Sequence, residues 1–390
     1  MSYVIDTYTP TRVVFGVGRL AELASVTLPG KKALVCVTAD GLMAKLGLQQ
    51  KVLSLLGENG VDAVVFDQVT PNPTVRGVNA AVALARAEGC DFFLGLGGGS
   101  SIDTAKAAAI MMVNPGDLWD YAYTGTGGRK PVKGAFPIVT VSTTCGTGTE
   151  TDPYCVITNE ETQEKLDFAV DEAFPTLSII DPELMLSLPR ALTVYQGFDA
   201  LFHAAETYIT NGNRNRLVTL YSAEAIRMVA QHLPQVVADS SDVEARAGLS
   251  YAANILCGYV QALTPCTSHH IIAQTMGGLF PGLPHGASLI VMAEAYYDRI
   301  RAFCPDLCDE IGALLGAVPD PAAPGRAMVD GLVHLLEQTD ARSLAMSSFG
   351  IGADDLPKIA DMAVNGTGLD CDPYTLTEAD VLAVLQAAYH

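Results

Sequence analysis

The chain has 390 residues, 49% of them hydrophobic and 17% charged, with a formal net charge of −20. That balance excludes a disordered chain, and the surplus of acid excludes a nucleic-acid role, because phosphate contact requires a basic footprint. Length favours two domains.

The opening stretch "MSYVIDTYTP" has neither a basic leader nor an apolar segment. No apolar run reaches the roughly 18 residues of a membrane span. A cytoplasmic protein with no membrane attachment is therefore expected. Nine cysteines are scattered along the chain; Cys304 and Cys308 have CxxxC spacing, but no second pair completes a zinc site. Reduced thiols are the reading.

Along the first half, short apolar runs alternate with amphipathic segments. Strands are expected at 32–39, 61–67, 90–97, 136–143 and 176–182, and helices at 41–57, 75–88 and 101–113. Such alternation predicts a parallel sheet with helices on both faces. After Pro182 strand-like runs largely vanish. Helices are expected near 193–211, 217–234, 243–262, 266–279, 287–302, 324–339, 355–364 and 377–388. The fold class is thus an α/β Rossmann-like domain over 1–185, followed by an all-α domain over 186–390.

Two turns in the first half carry binding chemistry. In "FFLGLGGGSSIDTAK" (92–106) a buried strand runs into Gly97, Gly98 and Gly99, which allow close backbone approach to a ligand, and Ser100 is placed to cap the next helix. Amides at a helix start attract an anion. The stretch is neither a Walker loop nor a complete GxGxxG. A second turn, "VSTTCGTGTETD" (141–152), supplies Thr143, Thr144 and Thr147 at the end of another strand. Two such turns at neighbouring strand ends favour a nucleotide diphosphate.

In the second half, "GFDALFHAAETY" (197–208) places Asp199 and His203 four residues apart, on one face of a helix. Three of the seven histidines, His269, His270 and His285, lie in "SHHIIAQTMGGLFPGLPHG" (268–286). One carboxylate and three imidazoles suit Fe²⁺ or Zn²⁺ and are poor ligands for Ca²⁺ or Mg²⁺. An Asp–His hydrogen bond inside a helix interface is the alternative reading of the first pair.

The motifs "FGVGRL" (15–20), "TPNPTV" (70–75), "GGGSSIDTAK" (97–106), "NPGDLWDY" (114–121), "TTCGTGTE" (143–150), "DPELMLSLP" (181–189), "GFDALFHAAE" (197–206), "GGLFPGLPHG" (277–286) and "LTEADVLAVLQAAY" (376–389) are collinear along the chain. In them the sequence resembles the iron-containing (group III) alcohol dehydrogenases, whose architecture is shared with dehydroquinate synthase. The resemblance implies Asp199, His203, His270 and His285 as ligands of Fe²⁺, with Zn²⁺ as the other candidate. It implies a pyrophosphate held by Gly97, Gly98, Gly99 and Ser100, with Asp40, Asn72, Asp103, Lys106, Thr143, Thr144, Thr147 and Lys165 around NAD or NADP. The implied activity is hydride exchange between a small primary alcohol or aldehyde and the nicotinamide, in a homo-oligomer, by default a dimer.

Three departures stand out. Gln274 occupies the position, four residues after the third ligand, where the family usually carries a further histidine, and Gln cannot relay a proton near neutral pH. The turn before His285 is one residue longer than usual, which makes His269 the rival of His270. Ala39 stands where NAD-preferring members have Asp, with Asp40 adjacent, so cofactor choice is open at this stage. The same architecture admits a zinc glycerol-dehydrogenase-like polyol enzyme, a dehydroquinate-synthase-like lyase or a catalytically weakened relic. The lyase needs a basic pocket, yet residues 251–298 contain no Lys or Arg.

Overall fold

A computed structural model describes residues 5–212 and 214–390. Two compact units divide the described residues: Tyr8–Leu186 form one, and residues 5–7 group with Ser187–His390 in the other, rather than with the expected 1–185 domain. The first four residues of the expected N-terminal domain lie outside the described residues. No helix among the described residues is long and apolar enough to cross a membrane.

The first unit contains β1 (Arg12–Phe15), β2 (Lys32–Thr38), α1 (Leu42–Lys45), α2 (Leu48–Glu58), β3 (Asp62–Val69), α3 (Val75–Glu88), β4 (Phe92–Gly97), α4 (Gly99–Val113), β5 (Ile138–Ser142), β6 (Tyr154–Asn159), β7 (Glu164–Ala169) and β8 (Leu177–Ile180). Among the described residues, six strands form one parallel sheet in the order β1-β8-β5-β4-β2-β3, and β6 and β7 form a separate antiparallel ribbon. Successive residues of β2 enter opposite cores: Leu34 and Cys36 pack on one face, Ala33, Val35 and Val37 on the other. A strand covered on both faces needs a continuous apolar run, which is what the sequence shows at 32–39.

From β2 the chain moves outward to β3, and from β4 it moves the other way to β5. The C-terminal ends of β2 and β4 therefore flank a topological switch point, where open α/β sheets bind ligands. This confirms the expected parallel sheet and adds details that periodicity missed. The helix expected over 41–57 is broken at Gly47, whose φ of 71° ends α1 and starts α2. β1 and the β6–β7 ribbon were not anticipated: β1 spans only 4 residues, and Glu164, Lys165 and Asp167 interrupt the apolar pattern of β7.

The second unit is helical: α5 (Arg190–Asn211), α6 (Arg216–Ala238), α7 (Val243–Ser250), α8 (Gly258–Gln261), α9 (Ser268–Leu279), α10 (His285–Ile300), α11 (Pro305–Leu314), α12 (Arg326–Gln338), α13 (Leu356–Asp361) and α14 (Glu378–Ala388). A π-helical run, Tyr251–Cys257, joins α7 to α8 inside the single helix expected at 243–262. The sequence reading overlooked α11, which starts with Pro305 in its first turn. Proline is compatible there because that N–H needs no intrahelical acceptor.

Candidate metal centre and dinucleotide turns

α5 is buried along most of its length and presents Asp199, His203 and Glu206 at i, i+4 and i+7, all buried. This spacing puts the three on one face. α9 begins directly against that face. Its cap residue is Thr267, and the Glu206 carboxylate accepts from Thr267 N–H (2.9 Å), Thr267 Oγ1 (2.9 Å) and His270 N–H (3.4 Å). A carboxylate on a helix N-terminus is stabilised by amides that have no intrahelical acceptor. The same carboxylate accepts from His270 Nδ1 at 2.7 Å. Glu206 thereby fixes both the start of α9 and the orientation of the His270 ring, holding Nδ1 and turning Nε2 toward Asp199.

His270 Nε2 faces Asp199 Oδ1 at 3.4 Å, and His285 Nε2 approaches the same oxygen at 3.6 Å. His203 Nδ1 lies 3.7 Å from it, with its ring stacked on His270 at 4.3 Å. His285 is the first residue of α10, and Gly286 lets that helix end meet α5: a Cβ on Gly286 would lie 2.2 Å from the Tyr195 carbonyl oxygen. A four-coordinate ion with bonds of about 2.0–2.2 Å separates its donors by about 3.3–3.6 Å. The Asp199–His270 and Asp199–His285 spacings fall in that window, so these three donors fit a first-row divalent metal, while His203 lies just outside it.

The electrostatics agree with the geometry. Burial pushes the Asp199 carboxyl up, but His203, His285 and His270 together outweigh it and hold the group well below the usual carboxylate range. Glu206 follows the same pattern: burial is overcome chiefly by His270, and then by His269. Burial opposes charge on His270, yet Glu206 and its other neighbours raise it well above the ordinary imidazole value. The cluster attracts positive charge, as a proton or as a cation.

His269 is placed differently. It is fully buried, its Nε2 donates to the Leu289 carbonyl oxygen (3.0 Å), its Nδ1 lies 3.3 Å from Glu206 Oε1, and its ring stacks on Tyr296 at 4.6 Å. It packs beside Glu206 in the core, and no ion pair joins it to Asp199. Gln274 lies one turn beyond His270 on α9 and is half-buried. Glu206 was not singled out from the sequence, although the i, i+4, i+7 spacing with Asp199 and His203 is visible there.

A second carboxylate meets the start of α9. Asp372 Oδ1 accepts from Ser268 N–H at 2.7 Å, while Oδ2 is buried and accepts no hydrogen bond from the described residues. Burial pushes its carboxyl up to about 6, against an ordinary value of 3.8. The folded state thus holds this proton more tightly than the unfolded chain, so stability falls as pH rises from about 4 to about 6 and the loss is complete above that. Asp372→Asn is expected to stabilise the protein by about 1–2 kcal/mol at pH 8, with the gain vanishing near pH 4. Thermal unfolding across that range checks it; an equal effect at both ends contradicts the assignment.

In the first unit the two turns touch. A Cβ on Gly98 would lie 2.7 Å from Thr144 Cγ2, one on Gly99 would lie 2.9 Å from Thr147 Cγ2, and Thr143 N–H donates to the Gly97 carbonyl oxygen at 2.9 Å. Gly97 itself has a φ of 141°, which disfavours side chains. The helix cap expected of Ser100 is not formed: Gly98 is the cap residue of α4 and has no side chain to accept the first-turn amides, while Ser100 lies within the first turn. Exposed amides at a helix start are suited to an anionic ligand. Asp40, just past β2, accepts from Thr38 Oγ1 and Leu42 N–H, both at 2.9 Å. Asn72, at a φ of 54°, accepts from Lys165 Nζ at 2.7 Å.

Asp103 and Lys106 turn inward, unlike the placement that the resemblance implied. Lys106 is fully buried, and its ammonium donates to the carbonyl oxygens of Asp152 and Tyr154, both at 2.8 Å, and to Asp152 Oδ1 at 3.2 Å. Asp103 accepts from Thr149 Oγ1 (2.9 Å) and Val156 N–H (3.1 Å). The three protons of the lysine are thus engaged inside the fold. The pair supports the threonine turn from behind, tying α4 to residues 149–156.

Residues 10–182 match the family model of the iron-containing alcohol dehydrogenases, and residues 193–389 match that of the C-terminal region of the Fe-containing alcohol dehydrogenase family. The 1,3-propanediol dehydrogenase of Klebsiella pneumoniae is 33% identical over 401 aligned residues, covering 100% of both chains. The NAD-dependent methanol dehydrogenase of Bacillus methanolicus is 28% identical, covering 98% of this chain and 99% of its own. Among solved structures, an archaeal halo-thermophilic alcohol dehydrogenase from a Red Sea brine pool superposes with a TM-score of 0.91 at 27% identity, covering 100% of both chains. Since the two family models divide the chain much as its compact units do, and the propanediol relative runs the full length of both, this protein belongs to the iron-containing alcohol dehydrogenase family.

Proposed function

We propose that the protein is a metal-dependent oxidoreductase exchanging a hydride between a small primary alcohol, or its aldehyde, and NAD. The observation that carries the reading is the convergence of His270 Nε2 and His285 Nε2 on one buried oxygen of Asp199, at 3.4 and 3.6 Å. Asp199, His203, His270 and His285 are the residues to hold Fe²⁺ or Zn²⁺. When bound, the metal supplies a Lewis acid for the alcohol oxygen and the nicotinamide supplies a hydride acceptor.

The chain's own groups prepare the reaction. Glu206 holds the His270 ring in one orientation. The uncapped start of α4 and the Thr143, Thr144 and Thr147 turn receive the diphosphate. Asp40 is held by two hydrogen bonds at the end of β2. A carboxylate so placed accepts from a ribose hydroxyl and repels a 2′-phosphate, which supports NAD over NADP. Gln274 offers an amide for hydrogen bonding but no titrating group, so no proton is relayed through it.

The test is turnover by protein loaded anaerobically with Fe²⁺ or Zn²⁺. With a panel of short primary alcohols, reduced nicotinamide is expected to accumulate faster with NAD than with NADP, and Asp40→Ala is expected to narrow that preference. Failure of both metal forms to turn over any alcohol or aldehyde with either cofactor would sink the reading.

A further inference from the structure

We propose that Cys266 is a ligand at this metal centre, its thiolate forming with His203 and His270 a second donor triad that shares His270 with the set of Asp199, His270 and His285. The proposal rests on the metal centre assigned under the proposed function and adds to it a donor of a different chemical kind. One ligand atom from each of His203, Cys266 and His270 lies within 4.8 Å of the other two, as holds also for Asp199, His270 and His285. Both sets draw on α5 and the start of α9, and the second adds His285 from the start of α10.

The backbone around Cys266 is held on both sides. Thr210 Oγ1 donates to the Pro265 carbonyl oxygen at 2.7 Å, and Thr267 N–H donates to Glu206 at 2.9 Å. The cysteine is thus pinned between α5, which carries His203, and the capped end of α9, which carries His270. It is half-buried, unlike the fully buried Cys257, whose thiol donates to the Ala200 carbonyl oxygen at 3.2 Å. A tetrahedral ion with a bond of about 2.3 Å to sulfur and about 2.0–2.1 Å to imidazole nitrogen places those atoms about 3.6 Å apart.

The chemical consequence is a soft donor in a centre otherwise made of imidazole and carboxylate. On ligation the thiol gives its proton to solvent, and the thiolate favours Zn²⁺ and Co²⁺ over Mn²⁺ and Mg²⁺.

Titration of the full chain with Co²⁺ tests this. One equivalent is expected to bind and to bring a thiolate-to-cobalt charge-transfer absorption in the near ultraviolet. Cys266→Ser and Cys266→Ala are expected to keep one bound Co²⁺ by equilibrium dialysis, to lose that absorption, and to hold Zn²⁺ at least about tenfold more weakly. The band is expected to persist when Cys304 and Cys308 are both changed to Ser. Stoichiometric Co²⁺ without the band, or a band that survives both substitutions at Cys266, overturns the thiolate ligand and leaves the Asp199, His203, His270 and His285 centre standing. Failure to bind Co²⁺ at all overturns both.

Discussion

His270→Ala is expected to retain less than about a tenth of an equivalent of Fe²⁺ or Zn²⁺ and to lose measurable alcohol oxidation. His270 is the one residue common to both donor triads, so its removal leaves neither complete. It also withdraws the hydrogen bond at 2.7 Å from the buried Glu206 carboxylate. His269→Gln provides the contrast. A glutamine amide can still donate toward the Leu289 carbonyl oxygen, and the residue offers nothing to Asp199, so a full equivalent of metal is expected at a lower melting temperature. Metal content by elemental analysis, alongside circular dichroism to establish folding, decides the matter. Metal retained by His270→Ala and lost by His269→Gln would reverse the assignment of the two histidines.

The second large effect is expected in the first unit. Lys106→Met is expected to destabilise it by about 3–5 kcal/mol, because it leaves Asp152 as a buried charge without its counter-ion. Lys106 and Asp152 have side chains 0% and 1% exposed, and two backbone carbonyls lose their donor with the ammonium. Adding Asp152→Asn to Lys106→Met should recover part of the loss, since it removes the uncompensated charge. Chemical unfolding of the single variants and the double variant measures this coupling. An additive double variant would show that the two side chains do not act as a pair. A secondary loss of NAD affinity is expected from Lys106→Met, transmitted through the threonine turn rather than through contact with the cofactor.

These two cases separate what short-range pattern conveys from what it does not. The α/β character of the first half was legible because each strand is an apolar run and each helix an amphipathic one, and both signals are complete within a dozen residues. The break at Gly47 and the ribbon of β6 and β7 were not, since a glycine inside an amphipathic pattern is tolerated in many helices and the charged Glu164, Lys165 and Asp167 leave β7 without a clean apolar run. The dinucleotide turns were readable as glycine and threonine clusters. Their contact, with Thr144 and Thr147 filling the space over Gly98 and Gly99, depends on β4 and β5 being neighbours in the sheet.

The sequence by itself determined the alternation that makes a doubly wound sheet, the helical second half, and the one-turn spacing of Asp199 and His203. All of these depend on residues within a few positions of one another. Tertiary structure decided which of two adjacent histidines faces Asp199, because consecutive helical residues point in different directions and only the packing of α9 on α5 selects between them. It also decided that Glu206, 64 residues from His270, is the group that orients it. It turned Lys106 from a residue expected beside the cofactor into an interior counter-ion 46 residues from Asp152. Partners separated by such distances leave no periodic trace in a single chain, whereas burial requires that each charge find its partner once the helices pack.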